Sequence, residues 1–277
     1  MCQSSQVLEC VINISEGRNI NSLRQLAAIC ADDLLDVHFD TEHNRSVFTL
    51  TGVNAPQRLT KLAVQLLHLD AHQGVHPRLG VVDVVPFVPL DGSTMDDAIA
   101  ARDAFAQWAS SELSVPCFVY GTERSLPDLR RDAWANLQPQ YGPPVPHATA
   151  GAICVGARNL LIAYNVWLKT NTSEKDARSI AQSVRSDGIR TLALRVGNHW
   201  QISMNLIDPE RIGPDIATDR VLHFAEQLNV EIDQCELVGL ISQNALNKIS
   251  QHRWKELDLS PERTIEFRRR HGFTFAA

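Results

Sequence analysis

The chain has 277 residues, of which 44% are hydrophobic, 21% charged and 6% aromatic, as expected for one large or two modest globular domains. Its 26 basic and 32 acidic residues give a formal charge of −6, which disfavours nucleic-acid binding because such binding needs basic excess. No apolar run approaches the roughly 20 residues of a membrane span, and residues 1–6 lack signal-peptide features, so we expect a cytoplasmic protein that does not bind membranes. The six cysteines form no close pair, which excludes a Cys-x-x-Cys site and disfavours a disulfide framework.

Apolar runs and helical spacings alternate along the first half of the chain. The predicted strands are 7–14, 34–37, 46–51, 80–89 and 115–120, and the predicted helices are 23–31, 59–66 and 98–113. The proline-rich stretch 122–151 is predicted to be a long loop, which in a compact protein is usually functional or a linker.

The second half repeats this order of elements. A strand at 160–167, a hairpin of 191–196 with 201–207 around Gly197 and Asn198, and a strand at 237–241 alternate with helices at 177–184 and 217–228. Both halves approximate βαββαβ, the split βαβ arrangement. The sequence therefore predicts an α/β (α+β) protein of two ferredoxin-like subdomains, 1–157 and 158–277. Their helix-free sheet faces need cover, so the two sheets are predicted to stack with a ligand cleft between them.

The densest polar cluster of the first half is 71–80, between a helix and a buried strand. His76 is a candidate acid–base group, since histidine is best suited to proton transfer near neutral pH, and Arg78 offers a planar fork for a carboxylate. The alternative is a surface turn whose histidines cap the helix. His72 and His76 have a metal-ligand spacing, but the glycine and proline of this segment oppose a helix and no third ligand is evident, so no metal is expected.

A second cluster, 36–45, has six ionisable side chains in ten residues and joins two strands. Asn44 and Arg45 directly precede a strand and could face a cleft. The alternative is a solvated hairpin tip.

Two further segments could contact a ligand. Glu16 and Arg18 follow the first strand, where α/β sites often collect, although this turn also has good helix-capping residues. Residues 142–151 form a stiff, proline-rich loop that could line a flat heterocycle, or that could simply link the two halves.

Several of these segments fall in a single order along the chain. They are 9–11, 15–18, 34–37, 44–47, 74–80 followed by Asp83-Val84 and Pro86-Phe87, then 142–143, 156–158, 161–165, 205–206 and 237–240. In this order they resemble the formiminotransferase family, the glutamate formimidoyltransferase unit of formiminotransferase-cyclodeaminase. The match covers most of the chain and is weakest over the last thirty-odd residues.

The resemblance implies two stacked α/β subdomains around a tunnel that holds folate, and a homodimer. It implies transfer of a formimino group from N-formimino-L-glutamate to N5 of tetrahydrofolate, a one-carbon step of histidine degradation with tetrahydrofolate as co-substrate. The family's catalytic histidine falls on His76. Its folate-binding segment falls on Gly142, Pro143, Pro144, Val145, Pro146, His147, Ala148, Thr149, Ala150 and Gly151. The candidates for substrate binding are Glu16, Arg18, His38, Asp40, Asn44, Arg45 and Arg78.

Two positions depart from mammalian-type members of the family. Those members have an aspartate where this chain has His38, and a tryptophan where it has Ala150. The departures keep two alternatives open: a related one-carbon or amidine transferase with a different donor or acceptor, and a folate-binding relative without catalysis.

Overall fold

The computed structural model describes residues 7–275. Residues 1–6, where we expect no signal peptide, and residues 276–277 lie outside the described part. The chain forms two compact units, one made of residues 7–159 with 273–275 and the other of residues 160–272. No helix of residues 7–275 is both long and apolar enough to cross a membrane.

The first unit is built on a six-stranded sheet in the order β2-β3-β1-β4-β6-β5. Its strands are β1 (Leu8–Ile14), β2 (Leu34–Asp40), β3 (Arg45–Thr51), β4 (Val82–Pro89), β5 (Cys117–Tyr120) and β6 (Ile153–Ala157), and its helices are α1 (Ile20–Ala28), α2 (Asn54–Leu66), α3 (Met95–Leu113) and α4 (Leu126–Asp132). The first four strands pair antiparallel, whereas β6 pairs parallel to both β4 and β5.

The two faces of this sheet are covered differently. Helices α1, α2 and α3 bury their apolar sides against the inward residues of β1, β3 and β4 and form the main core. Alternate residues of β5 and β6, such as Phe118 and Cys154, point to the opposite face, where they pack with Leu129 of α4 in a smaller core. Arg45 and Asn13 alternate with core residues of β3 and β1, and so they also lie on the α4 side of the sheet.

The second unit has a four-stranded antiparallel sheet in the order β10-β7-β9-β8. Its elements are β7 (Ile162–Leu168), α5 (Glu174–Val184), β8 (Ile189–Val196), β9 (His199–Leu206), α6 (Pro214–Gln227), β10 (Ile232–Val238), α7 (Gln243–Asn247) and α8 (Ile265–His271). The predicted hairpin is confirmed: Gly197 and Asn198 join β8 to β9, and Gly197 has a φ of +57°, which favours glycine at the first position of such a turn.

The predicted α/β class and the βαββαβ order are confirmed in both units, since each contains four strands in the split βαβ arrangement. The prediction that 122–151 is entirely loop is wrong. Helix α4 lies within this stretch, where Ser125 caps its N-terminus by accepting a hydrogen bond from the backbone N–H of Asp128 (3.3 Å). Strand β6 was also not predicted, because its five residues follow the long loop directly.

The end of the described chain returns to the first unit. Phe273 and Phe275 pack on its core, and the ring of Phe275 meets that of Phe39 edge-on, with 6.0 Å between the ring centroids. Four of the five described cysteines are buried and one is half-buried, which confirms that most serve as small core residues.

Candidate active site

Three loops of the first unit meet around Asn44: the β1–α1 turn, the β2–β3 turn and the 72–80 loop before β4. Oδ1 of Asn44 accepts a hydrogen bond from the backbone N–H of Gly17 (2.9 Å), and its Nδ2 donates to the carbonyl oxygen of Gln73 (3.0 Å). Asn44 has a φ of +47°, a left-handed conformation that asparagine tolerates better than most residues. Asn44, a predicted site residue, therefore connects the three loops through the hydrogen bonds of its side chain.

The same junction requires two residues without side chains. A Cβ on Gly17 would lie 2.2 Å from the carbonyl oxygen of Asp40, and a Cβ on Gly74 would lie 2.3 Å from that of His43. Both distances are far inside van der Waals contact with backbone atoms that cannot rotate away. The two glycines thus permit the close approach of the three loops.

Substitution of Gly74 by alanine should lower the free energy of unfolding by about 1–3 kcal/mol, as overpacking typically does. The added methyl group must displace the backbone of the 72–80 loop or of His43. Urea denaturation checks this, with Gly52→Ala as the control. Gly52 has a φ of +76° but open space around it, so its substitution measures backbone strain without a clash and should cost about 1–2 kcal/mol. Equal unfolding midpoints for G74A and the wild type would contradict the close approach.

His76 lies in the 72–80 loop with a half-buried side chain. Its Nδ1 is 2.9 Å from the carbonyl oxygen of Pro77. Because a carbonyl oxygen can only accept, Nδ1 of the neutral ring carries the proton, and Nε2 keeps its lone pair. Nε2 has no hydrogen-bond partner among residues 7–275. Burial and then the positive charge of Arg45 lower the pKa of His76 from 6.5 to about 3, so its ring is neutral near pH 7.

The fully buried carboxylate of Asp83 holds the strands and helix beside His76 together. Its Oδ2 accepts hydrogen bonds from Nη1 of Arg45 (2.9 Å) and from Nη2 of Arg130, and its Oδ1 accepts one from the backbone N–H of Leu79 (2.8 Å). Nε of Arg45 donates to Oδ1 of Asn13 (3.2 Å). Asp83 on β4 therefore fixes Arg45 on β3 and Arg130 on α4 at the α4 side of the sheet.

The cluster around Asp83 contains more positive than negative charge. Arg78 lies close enough to Asp83 and Arg130 to feel both charges, and its Nη2 donates to the carbonyl oxygens of Gly74 (2.6 Å) and His76 (2.5 Å). Two guanidinium groups thus bind one carboxylate, and a third lies close by. Within the described chain, Nη2 of Arg45 and the Nε and Nη1 of Arg78 have no hydrogen-bond partner, so these groups can bind an anion.

The other predicted residues of the β1–α1 and β2–β3 turns have local partners. Oε1 of Glu16 accepts from the backbone N–H groups of Arg18 (2.7 Å) and Asn19 (2.8 Å), and the exposed Arg18 donates through Nε to the carbonyl oxygen of Thr41 (2.8 Å). Oδ1 of Asp40 accepts from the backbone N–H of His43 (2.6 Å). These contacts stabilise the turns themselves.

His38 lies on β2 directly opposite Val47 of β3, and Asp40 lies opposite Arg45. Directly opposite residues of an antiparallel pair share a sheet face, so both lie on the face that carries Arg45. The sheet register therefore brings His38 and Asp40 to the same side as the Asp83 cluster.

The 142–151 loop runs alongside the start of β4. The backbone N–H of Val81 donates to the carbonyl oxygen of Ala150 (3.0 Å), and that of Leu69 donates to the carbonyl oxygen of Thr149 (2.8 Å). Nδ1 of His147 accepts from the backbone N–H of Ala150 (3.0 Å). The methyl group of Ala150 is buried in the main core, whereas Val145 at the tip of the loop is 60% exposed.

Sequence reasoning missed two members of this cluster as site residues. Asp83 was noted only as part of a family motif, and Arg130 lies in the stretch that was predicted to be loop. The Ser125, Pro127 and Asp128 combination is a helix-start signal that could have located α4. No group of three or more potential ligands (His, Cys, Asp or Glu) in residues 7–275 is arranged to hold a metal ion.

Comparison with known proteins identifies the family. The model of the formiminotransferase domain, N-terminal subdomain, matches residues 7–158, which is more than half of the chain and includes every residue of the cluster. The chain belongs to the formiminotransferase family. This result confirms the resemblance inferred from the ordered motifs.

The relatives of this formiminotransferase family member include proteins named glutamate formimidoyltransferase and formimidoyltransferase-cyclodeaminase. Glutamate formimidoyltransferase of Thermoplasma acidophilum is 33% identical over 282 residues, which cover 89% of this chain and 91% of that protein. The protein of the same name from Streptococcus pyogenes is 29% identical, with 90% and 93% covered. Formimidoyltransferase-cyclodeaminase of Sus scrofa is 32% identical over 87% of this chain but only 51% of its own length.

Proposed function

We propose that this protein is a glutamate formimidoyltransferase that moves a formimino group between N-formimino-L-glutamate and N5 of tetrahydrofolate, with His76 as the general base and acid. The observation that carries the proposal is the placement of His76 in the 72–80 loop beside a cluster of arginines, with a neutral ring whose Nε2 has no hydrogen-bond partner in the described part of the chain. The names of the Thermoplasma and Streptococcus relatives give the substrate class.

The positive charge of the cluster suits N-formimino-L-glutamate as the formimino donor. N-Formimino-L-glutamate has two carboxylates, and the tetrahydrofolate tail ends in further carboxylates. Nη2 of Arg45 and the Nε and Nη1 of Arg78 have no partner among residues 7–275 and can donate to a carboxylate, and the two positive charges exceed the single negative charge of Asp83. In a protein of net charge −6, such a local excess of positive charge would direct anionic substrates to this part of the first unit.

His76 can serve both proton transfers of the reaction. As N5 of tetrahydrofolate forms its bond to the amidine carbon, Nε2 of His76 takes the proton from N5. As the bond from that carbon to the glutamate nitrogen breaks, the imidazolium returns the proton to the departing nitrogen. Atoms and charge balance with no covalent bond to the enzyme, and this kind of catalysis is typically worth about 10²–10⁴ in rate.

The remaining predicted roles belong to the same proposal. Residues 142–151 would contact the folate, supported by the hydrogen bonds of this loop to the strand that follows His76 and by its exposed apolar tip at Val145. His38 or Asp40, on the sheet face of Arg45, would take the place of the aspartate found in mammalian-type members. A homodimer, which the resemblance implies, stays a prediction that light scattering can test.

The deciding experiment is a turnover assay on the purified chain. With tetrahydrofolate and N-formimino-L-glutamate, we expect a product that on acidification gives the near-ultraviolet absorbance of methenyltetrahydrofolate. Omission of either substrate is the control. Folate binding without turnover would favour the non-catalytic relative, and turnover only with another amidine would favour the related transferase. Either result would overturn the proposed function.

A further inference from the structure

One backbone oxygen near His76 receives two donors from different parts of the first unit. The carbonyl oxygen of Pro77 accepts from Nδ1 of His76 at 2.9 Å and from Nη1 of Arg130 at 2.9 Å. A carbonyl oxygen has two lone pairs, so these donors use its full accepting capacity. Its position sets both the direction of the imidazole ring and which ring nitrogen carries the proton.

The position of Arg130 is itself fixed by a buried ion pair. Its Nη2 donates to Oδ2 of the fully buried Asp83, which also binds Arg45, and the Arg130 side chain is only 17% exposed. The helix that carries Arg130, α4, packs on β5 and β6 through Leu129. The Pro77 carbonyl is therefore connected by a charged, buried contact to the rigid sheet, although it lies in a loop.

We propose that Arg130 is a positioning residue that fixes the Pro77 carbonyl and thereby presents Nε2 of His76, unprotonated, to the reacting nitrogen atoms. The inference rests on the proposed function for its catalytic meaning. Arg130 has no direct part in the proton transfers. It acts through one hydrogen bond, which its planar guanidinium can make while the other nitrogen remains on Asp83.

Arg130 also belongs to the charged groups that face His76. These are Arg45 from β3, Arg130 from α4 and Asp83 from β4, with His43 of the β2–β3 turn at 6.3 Å between ring centroids. On its own loop, Arg78 donates to the carbonyl oxygen of His76. Burial and Arg45 are the larger causes of the low pKa of His76, and Arg130 lowers it further. Removal of Arg130 should therefore raise this pKa toward 6.5.

The test compares Arg130→Met and Arg130→Lys with Arg131→Met in the full chain. Arg131 is the matched control because it is next in the same helix and is 66% exposed. Among residues 7–275 it pairs with Asp128 and Asp132 of that helix alone. Long-range ¹⁵N–¹H NMR of the His76 ring reports which nitrogen carries the proton without any substrate, and His76→Asn identifies its signals. Rates and pH profiles are then measured for each variant.

We expect a single Nδ1-protonated form of His76 in the wild type and R131M, and a mixture of the two tautomers in R130M. kcat of R130M should fall by about 10²-fold with a much smaller change in KM, as expected for a displaced catalytic group. The acidic limb of its kcat/KM profile should move toward neutral pH. R130K should recover part of kcat, since lysine keeps a positive charge beside Asp83 but lacks the planar fork that reaches Asp83 and the Pro77 carbonyl together.

Two results would overturn the positioning role. One is a wild-type tautomer signature in R130M, and the other is an unchanged kcat and pH profile in R130M. If R130M fails to fold, Arg130→Gln decides, because its neutral and shorter side chain cannot keep both the Asp83 and the Pro77 contacts. A wild-type tautomer signature and rate in that variant would contradict the role. If the wild type shows no turnover, the proposed function fails, but the NMR comparison still measures whether Arg130 fixes the ring.

Discussion

Replacement of His76 by asparagine should lower kcat for formimino transfer by about 10²–10⁴-fold while changing KM much less. Asparagine can still place an amide near the Pro77 carbonyl, but it offers no basic nitrogen to take the proton from N5. The substrate groups bound by the arginines are unaffected, so the loss should appear in kcat. Steady-state rates measured by the methenyltetrahydrofolate absorbance check the result.

His72→Asn is the matched control for this substitution. Nε2 of His72 donates to the carbonyl oxygen of Asn44 at 2.7 Å, so it supports the loop junction and is not placed to serve the reacting atoms. Its substitution should reduce kcat far less than that of His76. A larger loss of kcat in H72N than in H76N would contradict the assignment of His76 as the base and would favour His72 instead.

The pH dependence of the wild type follows from the low pKa of His76. A histidine base with a pKa of about 3 in the free enzyme loses its lone pair only when the pH falls toward that value. The kcat/KM profile of the wild type should therefore not fall near pH 6.5 through protonation of His76. An acidic limb near 6.5 that is assigned to His76 would contradict the burial and charge environment described above.

Substitution of Asp83 by asparagine should lower the free energy of unfolding by about 3–5 kcal/mol, the usual cost of removing one partner from a buried ion pair. Asp83 is fully buried, and the Arg45 and Arg130 side chains are 11% and 17% exposed. The amide can keep the hydrogen bond from Leu79, but two buried guanidinium groups lose their shared counter-charge. Urea denaturation monitored by tryptophan fluorescence measures the change.

Asp233→Asn is the control, because it removes the same charge from an exposed ion pair. Asp233 pairs with Lys169 at the surface of the second unit, where the two side chains are 31% and 47% exposed. Exposed pairs of this kind contribute about 0–1 kcal/mol. Similar losses in D83N and D233N would mean that the Asp83 cluster is not an energetically important buried pair.

The sequence was informative wherever the structure depends on local periodicity. The hairpin at Gly197 and Asn198 was predicted because a two-residue turn between alternating strands has a recognisable signal. Strand β6 was missed because its five residues gain their stability from lying between β4 and β5, which is a long-range pairing. The packing of Phe273 and Phe275 on the first unit likewise has no local signal.

The candidate site was only partly predictable for the same reason. Polar clusters at strand ends indicated His76, Arg78 and Arg45, and the structure brings these three together in one unit. Arg130 and Asp83 are separated by 47 residues, and only the packing of α4 on the sheet brings them into contact. The capping interpretation of the β1–α1 turn is confirmed for Asn19, the N-cap of α1, whereas Arg18 donates to Thr41 in the β2–β3 turn.

The position of β6 has a consequence for biosynthesis. β6 is the last strand of the first unit to leave the ribosome, yet it lies between β4 and β5, so β5 has no strand partner in the described sheet until β6 arrives. Chains fold from the N-terminus as they emerge, so the first four strands can assemble while this space is still empty. Helix α4 packs on β5 and β6, so the surface that holds Arg130 against Asp83 is complete only after β6 has been made. The nascent chain would contain His76 long before the contact of Arg130 with the Pro77 carbonyl can orient the imidazole ring.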